Sequence, residues 1–262
     1  MIVTVVSGWS ADWDPAYFDL AREFAARAPL AASPAELSTV LDDCTRALGF
    51  QYFALIDHVD LSRNVTDMIH LDTYPAVWSE RFIRSRLFLE DPVLQASLRT
   101  HMGFAWDDLD NLILVNQCHR LIFEMAQKEG IGNGFTVPAN IPGEIHGSCS
   151  FATRTGSRFP DRALGAAHLV GAFAYQAARR LHRPTQSRST DLPKLTSRQR
   201  ECVVLAGRGK SDWVIAQLLG LKKDTVTKYL VAARDRYEVA TRMQIVTAAL
   251  YYGEISFLEI QG

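Results

Sequence analysis

The chain has 262 residues, 48% of them hydrophobic and 22% charged, with a formal net charge of −1. Such a composition belongs to an ordinary globular protein, not to a disordered, fibrous or disulfide-stapled one, and the length suggests two domains. No stretch reaches membrane-spanning length and Met1–Trp9 lacks the positive flank of an export signal, so the chain is expected in the cytoplasm with no membrane partner. Four well-separated cysteines show no metal-ligand spacing, the seven histidines form no HExxH, and neither a nucleophile elbow nor a phosphate-cradling glycine loop is present. No enzyme, metal or cofactor is expected.

In chain order, Pro15–Ala28 and Pro34–Leu48 carry helical spacing, each with proline at its start. Gln51–Val59, rich in aromatic and branched residues, reads as a buried strand. Pro75–Leu87 and Asn111–Glu129 read as helices. Two more strands, Gly134–Pro138 and Ser148–Ala152, are joined by a turn around Pro142-Gly143, and an amphipathic helix runs from Asp161 to Leu181. Helices flanking strands drawn from distant positions predict an α+β chain whose amino-terminal part is an α/β/α sandwich around an antiparallel sheet. The polar, proline-bracketed run 184–193 reads as a linker, giving domains 1–183 and 194–262. Beyond it, Ser197–Ala206, Ser211–Leu219, Asp224–Tyr237 and Thr241–Tyr252 predict a compact four-helix unit.

From Lys194 onward there are 11 basic against 7 acidic residues, while the residues before it hold 17 against 22. A basic module behind an acidic body points to nucleic acid at the carboxyl end, although the surplus alone fits a merely solvated surface equally well. Gly220-Leu221-Lys222-Lys223 is a short connection of helix-turn-helix type. In the helix that follows, Val226, Leu230, Ala233 and Tyr237 form a buried stripe, so Thr227, Lys228 and Val231 face outward.

The order Leu195-Thr196-Ser197-Arg198-Gln199-Arg200-Glu201-Cys202, Gly209-Lys210-Ser211, Ile215-Ala216, Leu221, Thr225-Val226, Leu230, Ala233 and Thr241-Arg242 resembles the LuxR-type DNA-binding domain. The resemblance implies a recognition helix beginning near Asp224, with Thr225, Thr227, Lys228 and Val231 toward bases and Lys210, Lys222, Lys223 and Arg234 toward phosphates. It also implies a dimerising last helix, a palindromic operator, a homodimer, and RNA polymerase as a further partner. Gln199 and Val214 stand where the family usually has glutamate, which removes charges that could anchor helix packing; Glu201 is the candidate substitute.

Tyr74, Trp78 and Phe82 are spaced by four and form an aromatic stripe, more often plain core than a binding box. Asp91, ahead of Pro92, is by itself a helix cap. Together, however, Tyr74, Trp78, Asp91 thirteen residues on, and Trp106 resemble the autoinducer-binding domain of LuxR-type receptors. That resemblance implies an acyl-homoserine lactone as effector: Trp78 donates to the lactone carbonyl, Asp91 accepts from the amide, Ser150 donates to an acyl oxygen, and Tyr74 and Trp106 wall the head group. Phe82 replaces a common tyrosine and loses a hydroxyl worth roughly 0.5–1.5 kcal/mol as a hydrogen bond. Phe53, Leu55, Val137 and Phe151 are expected along the acyl chain. The resemblance to LuxR-type quorum-sensing regulators also leaves two alternatives: a solo receptor for a non-lactone signal, and an anti-activator acting through mixed dimers.

Overall fold

The computed structural model describes residues 14–59, 68–141, 145–182 and 194–261. The chain start, the turn at Pro142-Gly143 and the linker 184–193 fall outside the described residues. The chain divides into two compact units, the second comprising the residues after the linker. No described helix is long and apolar enough to cross a membrane.

The first unit is an α+β sandwich. Helix α1 (Pro15–Arg27) starts at Asp14, whose side chain accepts the Ala16 N–H, and α2 (Pro34–Ala47) starts at Ser33, which accepts from Glu36; both place proline in the first turn, where its missing N–H costs nothing. Strand β1 (Tyr52–Asp57) then enters a five-stranded antiparallel sheet with β2 (His70–Asp72), β3 (Phe104–Ala105), β4 (Ile131–Ala139) and β5 (Gly147–Arg154), in the order β2-β1-β5-β4-β3. Over one face lie α1, α2 and α6 (Leu164–His182). The connections α3 (Ala76–Arg84), α4 (Pro92–Ser97) and α5 (Gln117–Lys128) supply the residues gathered against the other face.

Strand pairing decides which side chains share a face, because successive residues point to opposite sides. Asp72 pairs with Ala54, Ala54 with Ser150, Ser150 with Thr136, and Thr136 with Phe104, so these five form one cross-strand row. The residues between them, Phe53, Leu55, Phe135, Val137, Cys149 and Phe151, point the other way and pack with Phe24, Leu37, Leu41, Val170 and Ala174 in the main core. Phe53, Leu55, Val137 and Phe151 are therefore core residues, and the expectation that they line an acyl chain is corrected: their strands are buried on both faces, and hydrophobicity alone does not say which face is which. Gly171 brings α6 against the sheet, since a Cβ there would meet Val137 Cγ2 at 2.8 Å.

Helix α5 begins at Gln117 rather than Asn111. Residues Trp106–Asn111 form a 3-10 turn, and Asn116 caps α5 by a reciprocal capping box with His119. Leu112, Ile113 and Val115, which read as helical from their apolarity, instead pack as irregular chain against Val93, Phe104 and Leu109. Strands β2 and β3, three and two residues long, escaped the sequence reading because they are too short to show alternation.

The second unit holds α7 (Ser197–Gly207), α8 (Asp212–Leu219), α9 (Lys223–Arg236) and α10 (Arg242–Tyr251), with a further short helix, α11 (Phe257–Gln261). Cys202, Val203, Ile215, Val226, Leu230, Ala233, Ile245 and Ala249 form its core. Gln199 is buried and completes a capping box with Thr196: its side-chain oxygen accepts the Thr196 N–H at 2.9 Å and its own N–H donates to the Thr196 hydroxyl. The amide thus does the capping work of a glutamate. Glu201 does not substitute for the missing charge, because it pairs with Arg198 on the surface at 2.8 Å. α11 is tied back to α7 by Arg200, which donates to Glu259 at 2.5 Å and to the Glu254 carbonyl at 2.8 Å.

Truncating Phe151, fully buried between the sheet and α6, should cost about 3–5 kcal/mol. Urea denaturation of Phe151→Ala checks this; a loss below about 1 kcal/mol would contradict the assignment of that sheet face to the core.

Candidate functional site

On the sheet face opposite the main core lies a cavity of about 700 Å³, its open mouth included. Ala54, Ile56 and Ser150 form its floor, with His70 and Asp72 from β2 at one edge. Tyr74, Trp78, Ser79, Phe82 and Ile83 come from α3 and its approach, Asp91, Val93 and Leu94 from the start of α4, and Trp106, Ile122, Phe123 and Ala126 from the 3-10 turn and α5. All six residues that the sequence singles out for a ligand, Tyr74, Trp78, Phe82, Asp91, Trp106 and Ser150, thus lie around one space.

Local chemistry positions each of them. Asp72 Oδ1 accepts the Tyr74 N–H at 3.1 Å and the Ser79 hydroxyl at 2.9 Å, stapling the entry to α3. Within that helix Trp78 is buried and Phe82, one turn on, lies beside it with ring centroids 5.8 Å apart and the planes tilted by 40°. Phe82 in turn lies 6.4 Å from Phe88, so it is both cavity wall and packing surface.

Asp91 fulfils both readings of its sequence position. Its Oδ1 accepts the Val93 and Leu94 N–H groups at 2.7 and 2.9 Å and caps α4. Both donors meet the same oxygen; Oδ2 accepts from none of the described residues. The Trp78 indole N–H and the Tyr74 hydroxyl also have no hydrogen-bond partner among the described residues. Three polar groups without hydrogen-bond partners among the described residues therefore line one mainly apolar space and are open to whatever fills it, water or ligand. Burial, only partly offset by the two backbone donors, pushes the Asp91 carboxyl up from 3.8 to about 6. Burial, with Asp72 and Asp91 nearby, raises the Tyr74 phenol well above its ordinary value, so it stays protonated.

Trp106 is held differently. Its indole N–H donates to Thr136 Oγ1 at 2.9 Å, and Thr136 Oγ1 lies 2.9 Å from Ser150 Oγ. This chain of hydroxyls sets the height of Trp106 over the sheet and engages Ser150 from the neighbouring strand. Gly134 makes the approach possible, because a Cβ there would meet Trp106 Cε2 at 2.5 Å. Thr136 was missed by the sequence reading; its one signal was a lone hydroxyl inside an apolar strand.

In the second unit, α8 is capped by Gly220 with φ +65, and α9 begins after two intervening residues, Leu221 and Lys222, which is helix-turn-helix geometry. Val226, Leu230, Ala233 and the cap residue Tyr237 are buried, leaving Thr227, Lys228 and Val231 exposed. Lys210, Lys222, Lys223 and Lys228 are exposed and form no ion pair among the described residues. Thr225 is half-buried, and Arg234 pairs with Asp235 at 3.3 Å. The Thr227 hydroxyl donates to Asp212 Oδ2 at 2.9 Å. Asp212 also binds Arg242, which reaches the Lys210 carbonyl at 2.6 Å, so one carboxylate joins the starts of α8 and α10 to the outer face of α9. Partial burial works to raise the Asp212 pKa, but the bonds from Arg242 and Thr227 outweigh it and hold the carboxyl below its ordinary range.

Residues 33–181 match the family model described as the autoinducer binding domain, and residues 193–249 match that of bacterial regulatory proteins, luxR family. The transcriptional activator protein LuxR of Aliivibrio fischeri is 26% identical over 224 residues, covering 84% of this chain and 88% of that protein. VanR of Vibrio anguillarum is 26% identical over 227 residues, covering 84% and 91%. Among solved structures, Escherichia coli SdiA aligns with a TM-score of 0.58 at 20% identity over 90% of this chain and 98% of its own. SdiA in complex with octanoyl-rac-glycerol aligns at 0.60 and 20% identity, over 93% and 98%. A cavity-bearing α+β sandwich matching an autoinducer-binding model, followed by a helix-turn-helix, defines a DNA-binding transcription regulator rather than an enzyme. The chain belongs to the LuxR family of quorum-sensing regulators.

Two outcomes follow from this geometry. Gly134→Ala should push the Trp106 ring off Thr136, seen as a changed near-ultraviolet circular dichroism spectrum and a shifted indole N–H resonance; an unchanged resonance would refute the contact. Because the folded Asp91 keeps a proton that the unfolded chain releases, stability of the unliganded protein should fall as pH rises from 3.8 to about 6. Asp91→Asn preserves a good cap and should flatten that part of the urea-denaturation pH profile.

Proposed function

We propose that the chain binds an acyl-homoserine lactone in the cavity beneath Trp78 and, as a homodimer, a two-fold symmetric DNA operator, acting in the cytoplasm. The domains are residues 1–183 and 194–262, joined by the linker 184–193. The observation that carries the ligand reading is the trio of polar groups without hydrogen-bond partners among the described residues. The Trp78 N–H donates to a lactone carbonyl, Asp91 Oδ2 accepts an amide N–H, and the Tyr74 hydroxyl, kept protonated, donates to the acyl carbonyl that Phe82 cannot reach. Ser150 supplies a second hydroxyl, and Trp106 walls the head group. The complementarity is to an amide-linked acyl head group, with one acceptor set between donors.

On the DNA side, Lys228 and Val231 face bases together with Thr227 and Thr225, while Lys210, Lys222, Lys223 and Arg234 meet phosphates. Thr227 reads bases only if its hydroxyl is shared with Asp212, so Lys228 and Val231 carry most of the sequence discrimination. RNA polymerase is a further partner once the operator is bound.

A second reading has one observation in its favour: Phe82 lacks the family's common hydroxyl, which fits an acyl ligand other than a lactone. SdiA, of similar fold, was solved with octanoyl-rac-glycerol.

Thermal denaturation with a panel of acyl-homoserine lactones separates the readings. A ligand at a hundred times its dissociation constant should add about 2.7 kcal/mol of stability. Trp78→Phe should weaken lactone binding roughly tenfold, as expected for a lost charge-neutral hydrogen bond in a desolvated site. No shift with any lactone, alongside a shift with monoacylglycerols, would transfer the assignment to the second reading. For the operator, Lys223→Ala should lower the slope of log affinity against log salt by about 0.9 while leaving sequence preference intact; Lys228→Ala should relax the preference itself.

A further inference from the structure

The polar groups that meet on the outer face of α9 restrict what that face can read. The Thr227 hydroxyl lies 2.9 Å from Asp212 Oδ2 and 3.2 Å from the Lys223 carbonyl one turn back. Both neighbours are acceptors, and a threonine hydroxyl has a single proton. Whichever of the two takes it, that proton stays inside the protein. What the exposed Thr227 side chain has left for a partner outside is a lone pair and a methyl group.

Arg242 keeps this arrangement in place. It donates to Asp212 Oδ1, which leaves Oδ2 for Thr227, and its other terminal nitrogen is anchored on the Lys210 carbonyl at 2.6 Å. Partial burial works to raise the Asp212 pKa, but the bonds from Arg242 and Thr227 hold it below the ordinary range, so near neutral pH the carboxylate is ionised and only accepts. On the same face Lys228 can only donate, and Val231 is apolar. An unrestrained threonine hydroxyl serves base donors and base acceptors alike; one whose proton is already engaged serves donors alone.

We propose that Asp212 is a specificity-determining positioning residue: by holding the Thr227 proton it makes Thr227 an acceptor, which selects the amino group of adenine or cytosine in the major groove and rejects the carbonyl oxygen of guanine or thymine. The inference rests on the base-facing reading of α9 and adds the class of base edge that one of its residues takes. Asp212 acts from α8 through Thr227, not by a base contact of its own.

Binding experiments on the full-length chain, with and without the acyl-homoserine-lactone panel, test this in two stages. Selection from a randomised DNA library gives the operator, and the same selection with Thr227→Val marks the base pair whose preference that hydroxyl sets. Base analogues at this pair then delete one group at a time: purine for adenine removes only the amino donor, and corresponding analogues of thymine or guanine remove only the carbonyl oxygen. Amino deletion should weaken wild-type binding about fivefold more than Thr227→Val binding, while oxygen deletion acts on the two alike. Thr227→Ser should behave as the wild type. In Asp212→Asn the amide oxygen stays with Arg242 and the NH2 group meets Thr227, which frees the hydroxyl proton and should bring that difference below about twofold. Thermal melts establish that the variants fold; a bond that only ties α9 to α8 would move the melts and leave the analogue pattern unchanged. The inference is overturned, and the base-facing reading of α9 stands, if Thr227→Val removes sensitivity to the oxygen and not the amino group, if Asp212→Asn keeps the full difference, or if Thr227→Val marks no base pair while Lys228→Ala relaxes one. If the wild type selects no sequence, or none of Thr227→Val, Lys228→Ala and Val231→Ala changes the selected one, both fall together.

Discussion

The sensor half of this protein depends on the two-residue period of its three central strands. β1, β5 and β4 are buried on both faces, yet the faces differ in kind. One carries Phe53, Leu55, Phe135, Val137 and Phe151 into a packed core with α1, α2 and α6. The other carries Ala54, Thr136 and Ser150, small or hydroxylated side chains that cannot fill the distance to α3 and α5. A cavity follows from that shortage of volume, because interiors otherwise close to crystal-like density. Shifting any of these strands by one residue would turn large rings into the ligand space and strip the core.

Around that space, polar groups are placed by elements whose own ends they complete. Asp72 holds the approach to α3, Asp91 caps α4, and Thr136 ties Trp106 to the sheet. Local backbone demands thereby fix the side chains that face the cavity, and Gly134 removes the single atom that would hold Trp106 away. The second unit uses the same economy: Gln199 satisfies a helix start inside the core, and Asp212 joins three helix segments around the recognition surface.

Much of this was legible in the sequence. Proline at helix starts, hydroxyl and amide caps, and glycine after α8 marked most helices within a few residues. The aromatic spacing of Tyr74, Trp78 and Phe82 with Asp91 marked the residues that the fold gathers around one cavity. The facing of the sheet was not legible, since Phe53 and Ala54 are both plausible cavity residues until the pairing partner is known. Edge strands were too short to alternate, and the apolar run Leu112–Val115 mimicked a helix although Asn116 is the residue that starts one. Thr136 was invisible for a related reason: its importance comes from Trp106 and from Ser150 on the neighbouring strand, which no local pattern encodes.

The divided use of Asp91 has a consequence for how a ligand is received. One oxygen is already immobilised by two amides of α4, so the second is presented at a settled position before anything arrives. On the proposed reading, an incoming amide surrenders only its own freedom and does not have to order the carboxylate as well. By the same token, the carboxylate that faces the cavity and the first turn of α4 share one set of bonds, so a shift of either moves the other.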